Sequence, residues 1–250
     1  MSPHRCRYWL NAKVTDQAEF ERSVEKVCLT YLSASINEVA GIHTVSTDEK
    51  TGIQALKRAA PTKPMEPGKP ERIEYEYERN GTTNLFGNLN VATGKIIAPK
   101  LQATRTEEDF AENIDAMVET DPVAEWVFVC DNLNTHLSMM LVMLVAWWCD
   151  IPFDILGKKG KEGILKSQET RKEFLEDPTH RIRFVYTPKH CSWLNQIEIW
   201  FSSLSRRVLK RNDFDSVNSL QKKITEYIHF YNQTAKPMKW KCKNLTTLTQ

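Results

Sequence analysis

Trp126-Val-Phe-Val-Cys-Asp131-Asn-Leu-Asn-Thr-His136 is the stretch whose reading decides the fold. The run Trp126 to Cys130 is unbroken in its apolar character and rich in β-branched and aromatic side chains, as expected of a central strand covered on both faces. Asp131 ends that strand, and the carboxyl ends of strands in open α/β sheets face the crevice where ligands bind. The polar residues after it lead into Leu137–Trp148, an apolar segment too short to span a bilayer. It reads as a core helix over 137–149, with Asn134 or Thr135 as its cap.

Working outward, a second apolar run, Gly41-Ile-His-Thr-Val-Ser-Thr47, ends at Asp48 and predicts a first strand over 41–47. Phe20, Val24, Val27 and Tyr31 recur at helical spacing and predict a helix over about 16–33. Residues 61–72 hold four prolines and a glycine and read as loop. Ile73–Glu78 alternates with period two, the pattern of a short half-wet strand. Thr82–Val91, the turn Ala92-Thr-Gly94 and Lys95–Ala98 read as a hairpin. Thr106 is placed to cap a helix through about 119. Ile182-Arg-Phe-Val-Tyr186 reads as a strand, and helices over about 193–211 and 216–232 close the chain. Early antiparallel strands followed by β-α-β crossovers predict a mixed sheet with helices on both faces.

Composition narrows the function only loosely. The chain has 250 residues, 41% hydrophobic, enough for a sizeable core. A net charge of +2 does not by itself announce a nucleic-acid binder, so any DNA contact must come from local basic clusters. Cys6, Cys28, Cys130, Cys149, Cys191 and Cys242 form no CxxC pair, which argues against a zinc site and a secreted disulfide framework. With no signal peptide or membrane span read from the sequence, a soluble cytoplasmic protein is expected.

Glu198 is the third acid of interest. Leu194, Ile197, Phe201, Leu204 and Val208 form a buried helical stripe, and Glu198 flanks it. Taken singly, Asp48 reads as a turn residue and Glu198 as a solvated helix glutamate. Two strand-end aspartates and one helix glutamate meeting at a sheet edge would instead hold Mg²⁺, since clustered carboxylates cannot all stay ionised without a cation. That chemistry points to metal-assisted phosphoryl transfer on nucleic acid. Asn132, His136 and Asn195 would surround the acids. Lys189, with the free amides at the start of the 193–211 helix, could meet a phosphate. The basic cluster Arg206, Arg207, Lys210 and Arg211 could meet the DNA backbone, or simply complement a helix C-terminus.

Cys130-Asp-Asn-Leu-Asn-Thr-His136 resembles the second-aspartate motif of the IS630/Tc1/mariner DDE transposases. Thr187-Pro-Lys-His-Cys-Ser-Trp-Leu-Asn-Gln-Ile-Glu-Ile-Trp200 resembles their third motif, and Ser46-Thr-Asp-Glu49 their first. Leu156-Gly-Lys-Lys-Gly-Lys-Glu-Gly-Ile-Leu165 draws the likeness toward the bacterial IS630 type. The resemblance implies an RNase H-like five-stranded sheet over residues 36–250, preceded by a linker arm and helix over 1–35. It implies Asp48, Asp131 and Glu198 as ligands of two Mg²⁺ or Mn²⁺ ions, and DNA partners comprising transposon ends and target, engaged as a homodimer. Cleavage and strand transfer are the implied activity; an RNase H-like nuclease without strand transfer, or an inactive DNA-binding remnant, are the rivals. The long spacing between Asp131 and Glu198 marks about 153–180 as an insertion, whose Lys158, Lys159, Lys161 and Lys166 are either DNA contacts or ordinary surface. The basic arm His4-Arg-Cys-Arg-Tyr-Trp9 resembles the linker that follows the family's helix-turn-helix domains, so sequence-specific recognition of transposon ends is not expected of this chain alone.

Overall fold

The computed structural model describes residues 16–210 and 212–240. The basic arm, Arg211 and the C-terminal residues from 241 onward lie outside the described residues. Among these residues five strands form one sheet: β1 (Ile42–Arg58), β2 (Tyr77–Asn90), β3 (Lys100–Gln102), β4 (Glu125–Cys130) and β5 (Ile182–Tyr186), in the order β3-β2-β1-β4-β5. The β1–β2 and β2–β3 pairs are antiparallel; β1–β4 and β4–β5 are parallel.

Among the described residues six α-helices cover the sheet: α1 (Gln17–Val39), α2 (Glu107–Val118), α3 (Met139–Trp148), α4 (Gln168–Leu175), α5 (Ile197–Leu204) and α6 (Val217–Gln233). Alternation along β4 sorts its side chains. Trp126, Phe128 and Cys130 join Phe110, Ile114, Leu141 and Val145 of α2 and α3 on one face. Val127 and Val129 meet Val27, Tyr31 and Ala34 of α1 on the other. On that second face α5 and α6 pack over β1 and β2 through Ile197, Trp200, Phe201, Leu220 and Ile224. The mixed five-stranded sheet between helices is thus the arrangement expected from the sequence.

Several boundaries differ from expectation. β1 runs to Arg58, far past Thr47, so Asp48 lies within a strand instead of ending it. The charged residues Asp48, Glu49 and Lys50 hide this, but the ladder to β2 continues through them, because strand formation follows pairing more than local propensity. Residues 73–76 form no strand; β2 begins at Tyr77. The return strand is not Lys95–Ala98, where only Ile96 bridges to Leu89. Ala98 has φ of 37° and Pro99 lacks an N–H, so the ladder resumes only in β3. Ser138 caps α3, accepting from Leu141 N, while Asn134–Leu137 forms a 3₁₀ turn; neither Asn134 nor Thr135 is the cap. The polar stretch 156–180 contains α4, started by a capping box at Ser167. The helix expected over 193–211 is split into a 3₁₀ turn at Ser192–Leu194, α5, and a π-helical turn at Ser205–Leu209.

Gly87 positions the last part of the site. It sits opposite Asp48 in the β1–β2 ladder. A Cβ there would lie 2.5 Å from the Phe201 ring and 3.2 Å from Ile197 Cδ1. The bare backbone lets α5 rest directly on the sheet beside Asp48.

Candidate functional site

Register brings the two aspartates together. Ile42 pairs with Glu125 and Ser46 with Val129 in the parallel β1–β4 ladder. Carried two residues further, past the end of β4 at Cys130, that register puts Asp131 beside Asp48, whose carboxyl feels its charge. Asp48 is buried. Burial first, and then the charge of Asp131, push its carboxyl up to about 7. A carboxyl so raised prefers either a proton or a cation beside it.

Asn195 holds Asp48 in place. Its Nδ2 donates to Asp48 Oδ2 at 3.1 Å and to Thr47 O at 3.0 Å. Its Oδ1 accepts from Ser46 Oγ. Ser46 Oγ in turn accepts from Ile197 N at 2.9 Å. Gln196, the N-cap residue of α5, offers no side-chain cap, so a serine from β1 caps the helix across the fold. Glu198, an exposed residue in the first turn of α5, is thereby tied to the strand carrying Asp48. The protein around its carboxyl withholds solvent and raises its pKa; Lys50 opposes that rise and Asp131 adds to it. The amides here are therefore not free for a phosphate: Ile197 N is bound by Ser46, Glu198 N by Asn195 O, and Ile199 N by Gln196 O.

Asp131 is anchored from the opposite face. His136 Nδ1 lies 2.7 Å from Asp131 Oδ1, and its Nε2 lies 3.0 Å from Glu49 Oε1. The ring is buried against Phe110, centroids 4.0 Å apart. Burial opposes a charge on this imidazole, but the hydrogen bonds to Asp131, Cys130 and Glu49 outweigh it and hold the pKa well above its ordinary value. The imidazole between these two carboxyl groups thus favours its charged form. Tyr186 Oη donates to its carbonyl at 2.8 Å.

Two clefts open here. One, of about 630 Å³, is lined by Asp131, Asn132, Leu133 and the loop Thr187–Trp193, including Lys189. The other, of about 390 Å³, is lined by Glu49, Arg105 and Asn132–Thr135. Arg206 and Arg207 are exposed on the π-helical turn after α5 and Lys210 just past it, about 12 to 18 Å along the helix axis from Glu198. Arg211 lies outside the described residues. The lysines at 158, 159, 161 and 166 are exposed as well.

The structure therefore gathers Asp48, Asp131, His136 and Asn195 where the chain leaves β4 beside the middle of β1, with Glu198 near enough to feel the charge of Asp131. Among the described residues, no three His, Cys, Asp or Glu side chains close together on a single point. The donor chemistry nevertheless suits a hard divalent cation: oxygen ligands only, with Asp48 carrying an unfavourable buried charge. Sequence reading passed over Glu49, Lys50 and Ser46. The available signal is period two along β1, which sends Asp48 and Glu49 to opposite faces; a strand ending at Thr47 hides it.

The family model described as DDE superfamily endonuclease matches residues 43–221, and the one described as integrase core domain matches 198–248. Comparison with curated protein sequences gives no match. Among solved structures, the Mos1 mariner paired end complex with Mn is similar at a TM-score of 0.53 and 14% identity. The likeness covers 90% of this chain and 59% of that one. A pre-cleavage Mos1 transpososome is similar at 0.53 and 13% identity, with the same coverage. The catalytic domain of Mos1 mariner transposase is similar at 0.50 and 13% identity, covering 88% of this chain and 85% of that one. The chain thus spans about 59% of the longer Mos1 chains, and at these identities the likeness establishes the RNase H-like fold. No helix among the described residues is long and apolar enough to cross a membrane. With the sheet order, the level pair of aspartates and a family match over most of its length, this chain belongs to the DDE superfamily endonucleases.

Proposed function

We propose that this protein is the catalytic domain of a DNA transposase, cleaving DNA strands and transferring the freed 3′ end to a target. The observation that carries this reading is the register that sets Asp48 level with Asp131, beside a helix whose first turn holds Glu198. Asp48, Asp131 and Glu198 would hold two Mg²⁺ or Mn²⁺ ions. Such ions, when bound, lower the pKa of an attacking water or 3′-hydroxyl and stabilise charge on the leaving oxygen. The metal named in the Mos1 paired end complex, Mn, supports divalent chemistry here.

The chain's own residues have separable tasks. Asn195 fixes the rotamer of Asp48, and His136 fixes that of Asp131. Lys50 moderates the carboxyl of Glu198. Asn132 lies on the ridge between the two clefts. Lys189, Arg206, Arg207, Lys210 and Arg211 are proposed contacts to DNA phosphates, with transposon ends and target as partners and a homodimer as the working assembly. We place the protein in the cytoplasm, on DNA. The proposed division is an arm and helix over 1–35 and a catalytic unit over 36–250, with 153–180 inserted.

Mn²⁺-dependent nicking of supercoiled plasmid tests the reading. The wild type should nick, and Asp131→Asn should lose nicking while keeping the wild-type circular dichroism spectrum. Normal nicking by Asp131→Asn would overturn it. Joining of a labelled 3′-hydroxyl end to plasmid separates a transposase from a simple nuclease.

A further inference from the structure

The cleft beside Asp131 is built in a way that backbone contacts to duplex DNA do not require. Leu133, Pro188 and Trp193 line it together with Lys189. Leu133 is 44% exposed and Trp193 is 57% exposed, so two large apolar side chains face solvent next to a carboxylate centre. The loop that presents Trp193 is held firmly. Cys191 and Leu194 on either side are buried, and Leu194 N donates to Cys191 O at 2.9 Å. His190, just before them, takes φ of 63°, a left-handed conformation uncommon for a non-glycine residue. The fold fixes the indole at the edge of the cleft instead of letting it pack inward.

A volume of about 630 Å³ lies within the range of small-ligand pockets. Inside a continuous duplex both faces of a base are covered by its neighbours, so an interior base offers a face to an indole only when it is unpaired and unstacked. Leu133 also lines the second cleft, which carries Arg105. The Asn132–Leu133 ridge thus stands between two grooves, each with a cation for a phosphate. This arrangement suits two strands that have parted at the ridge, not a continuous duplex.

We propose that the cleft between Leu133 and Trp193 binds an unpaired nucleobase adjoining the scissile phosphate, stacked on Trp193 with Lys189 at its phosphate. The proposal rests on reading Asp48, Asp131 and Glu198 as a phosphoryl-transfer centre.

The test uses the full chain with Ca²⁺ and fluorescein-labelled DNA of mixed sequence, read by anisotropy. The probes are a blunt duplex, the same duplex with a short 3′ overhang, and one whose overhang is abasic. The wild type should prefer the base-bearing overhang over the blunt end by about tenfold, the size of one base–aromatic stack. The abasic overhang should lose that preference, a result independent of any variant's folding. Trp193→Ala should bring the ratio near one, and Trp193→Phe should keep most of it. An unchanged ratio in Trp193→Ala, or an abasic overhang bound as well as the intact one, overturns the proposal. If the wild type also nicks plasmid with Mn²⁺, only the pocket assignment has failed. If it neither binds DNA nor nicks, the functional reading has failed with it.

Discussion

Asn195 and Asp48 are joined across the fold, Nδ2 to Oδ2 at 3.1 Å, so a residue just ahead of α5 sets the orientation of a carboxylate in β1. The same amide accepts from Ser46, which caps α5. The bond therefore couples the position of Asp48 to that of Glu198. Asn195→Ala should destabilise the protein by about 1–3 kcal/mol, because it strands buried partners at Ser46 and Thr47. It should also reduce Mn²⁺-dependent nicking more than it reduces DNA affinity. Urea denaturation and plasmid nicking check the two effects.

His136 bridges the partly exposed carboxyl of Asp131 and the buried carboxyl of Glu49. Removing it leaves Glu49 buried without its partner. His136→Ala is expected to cost about 3–5 kcal/mol, the range for breaking one side of a buried ion pair. Glu49→Gln together with His136→Gln should recover part of the loss, since neither residue then carries a buried charge. A double-mutant cycle by urea denaturation measures the coupling.

Gly87 lets α5 lie on β2 opposite Asp48. Gly87→Val should destabilise by about 1–3 kcal/mol through overpacking against Phe201 and Ile197. Because the strain displaces the helix bearing Glu198, nicking should fall even at temperatures where the variant is fully folded. Nicking as strong as the wild type's in a folded variant would contradict this coupling.

His43, at the opposite end of β1, lies between Glu38 and Asp121, at 3.1 and 3.0 Å. Burial opposes its charge, but the hydrogen bonds to Asp121 and Glu38 outweigh that and raise its pKa. A raised folded value means this contribution is complete below about pH 6.5 and is lost as pH rises through the folded pKa. The stability gap between wild type and His43→Gln should therefore be widest in mild acid and shrink in alkali. Melting temperatures across pH check the sign.

The cations after α5 make a salt prediction. Arg206→Ala with Arg207→Ala should weaken DNA binding uniformly across sequences. Each lost phosphate contact should reduce the slope of log affinity against log salt by about one. A slope equal to the wild type's would remove this turn from the DNA path.

The sequence by itself determined the elements whose cause is local. The unbroken apolar run Trp126–Cys130 made β4 a central strand, and Thr106 with Asp109 started α2 through a capping box. The motifs around Asp131 and Glu198 made the family legible, because they combine rare residue types at fixed spacing. What depended on partners distant in the chain was hidden. β1 continues through Asp48-Glu-Lys50 because β2 pairs with it, and no local propensity signals that. The cap of α5 comes from Ser46, some 150 residues away in the chain, and Glu49 finds His136 only once β1 and the segment after β4 lie side by side. Local chemistry names the acids; pairing register and packing alone decide that Asp48 stands level with Asp131, since neighbouring strands choose their alignment through the whole ladder and not through any single residue.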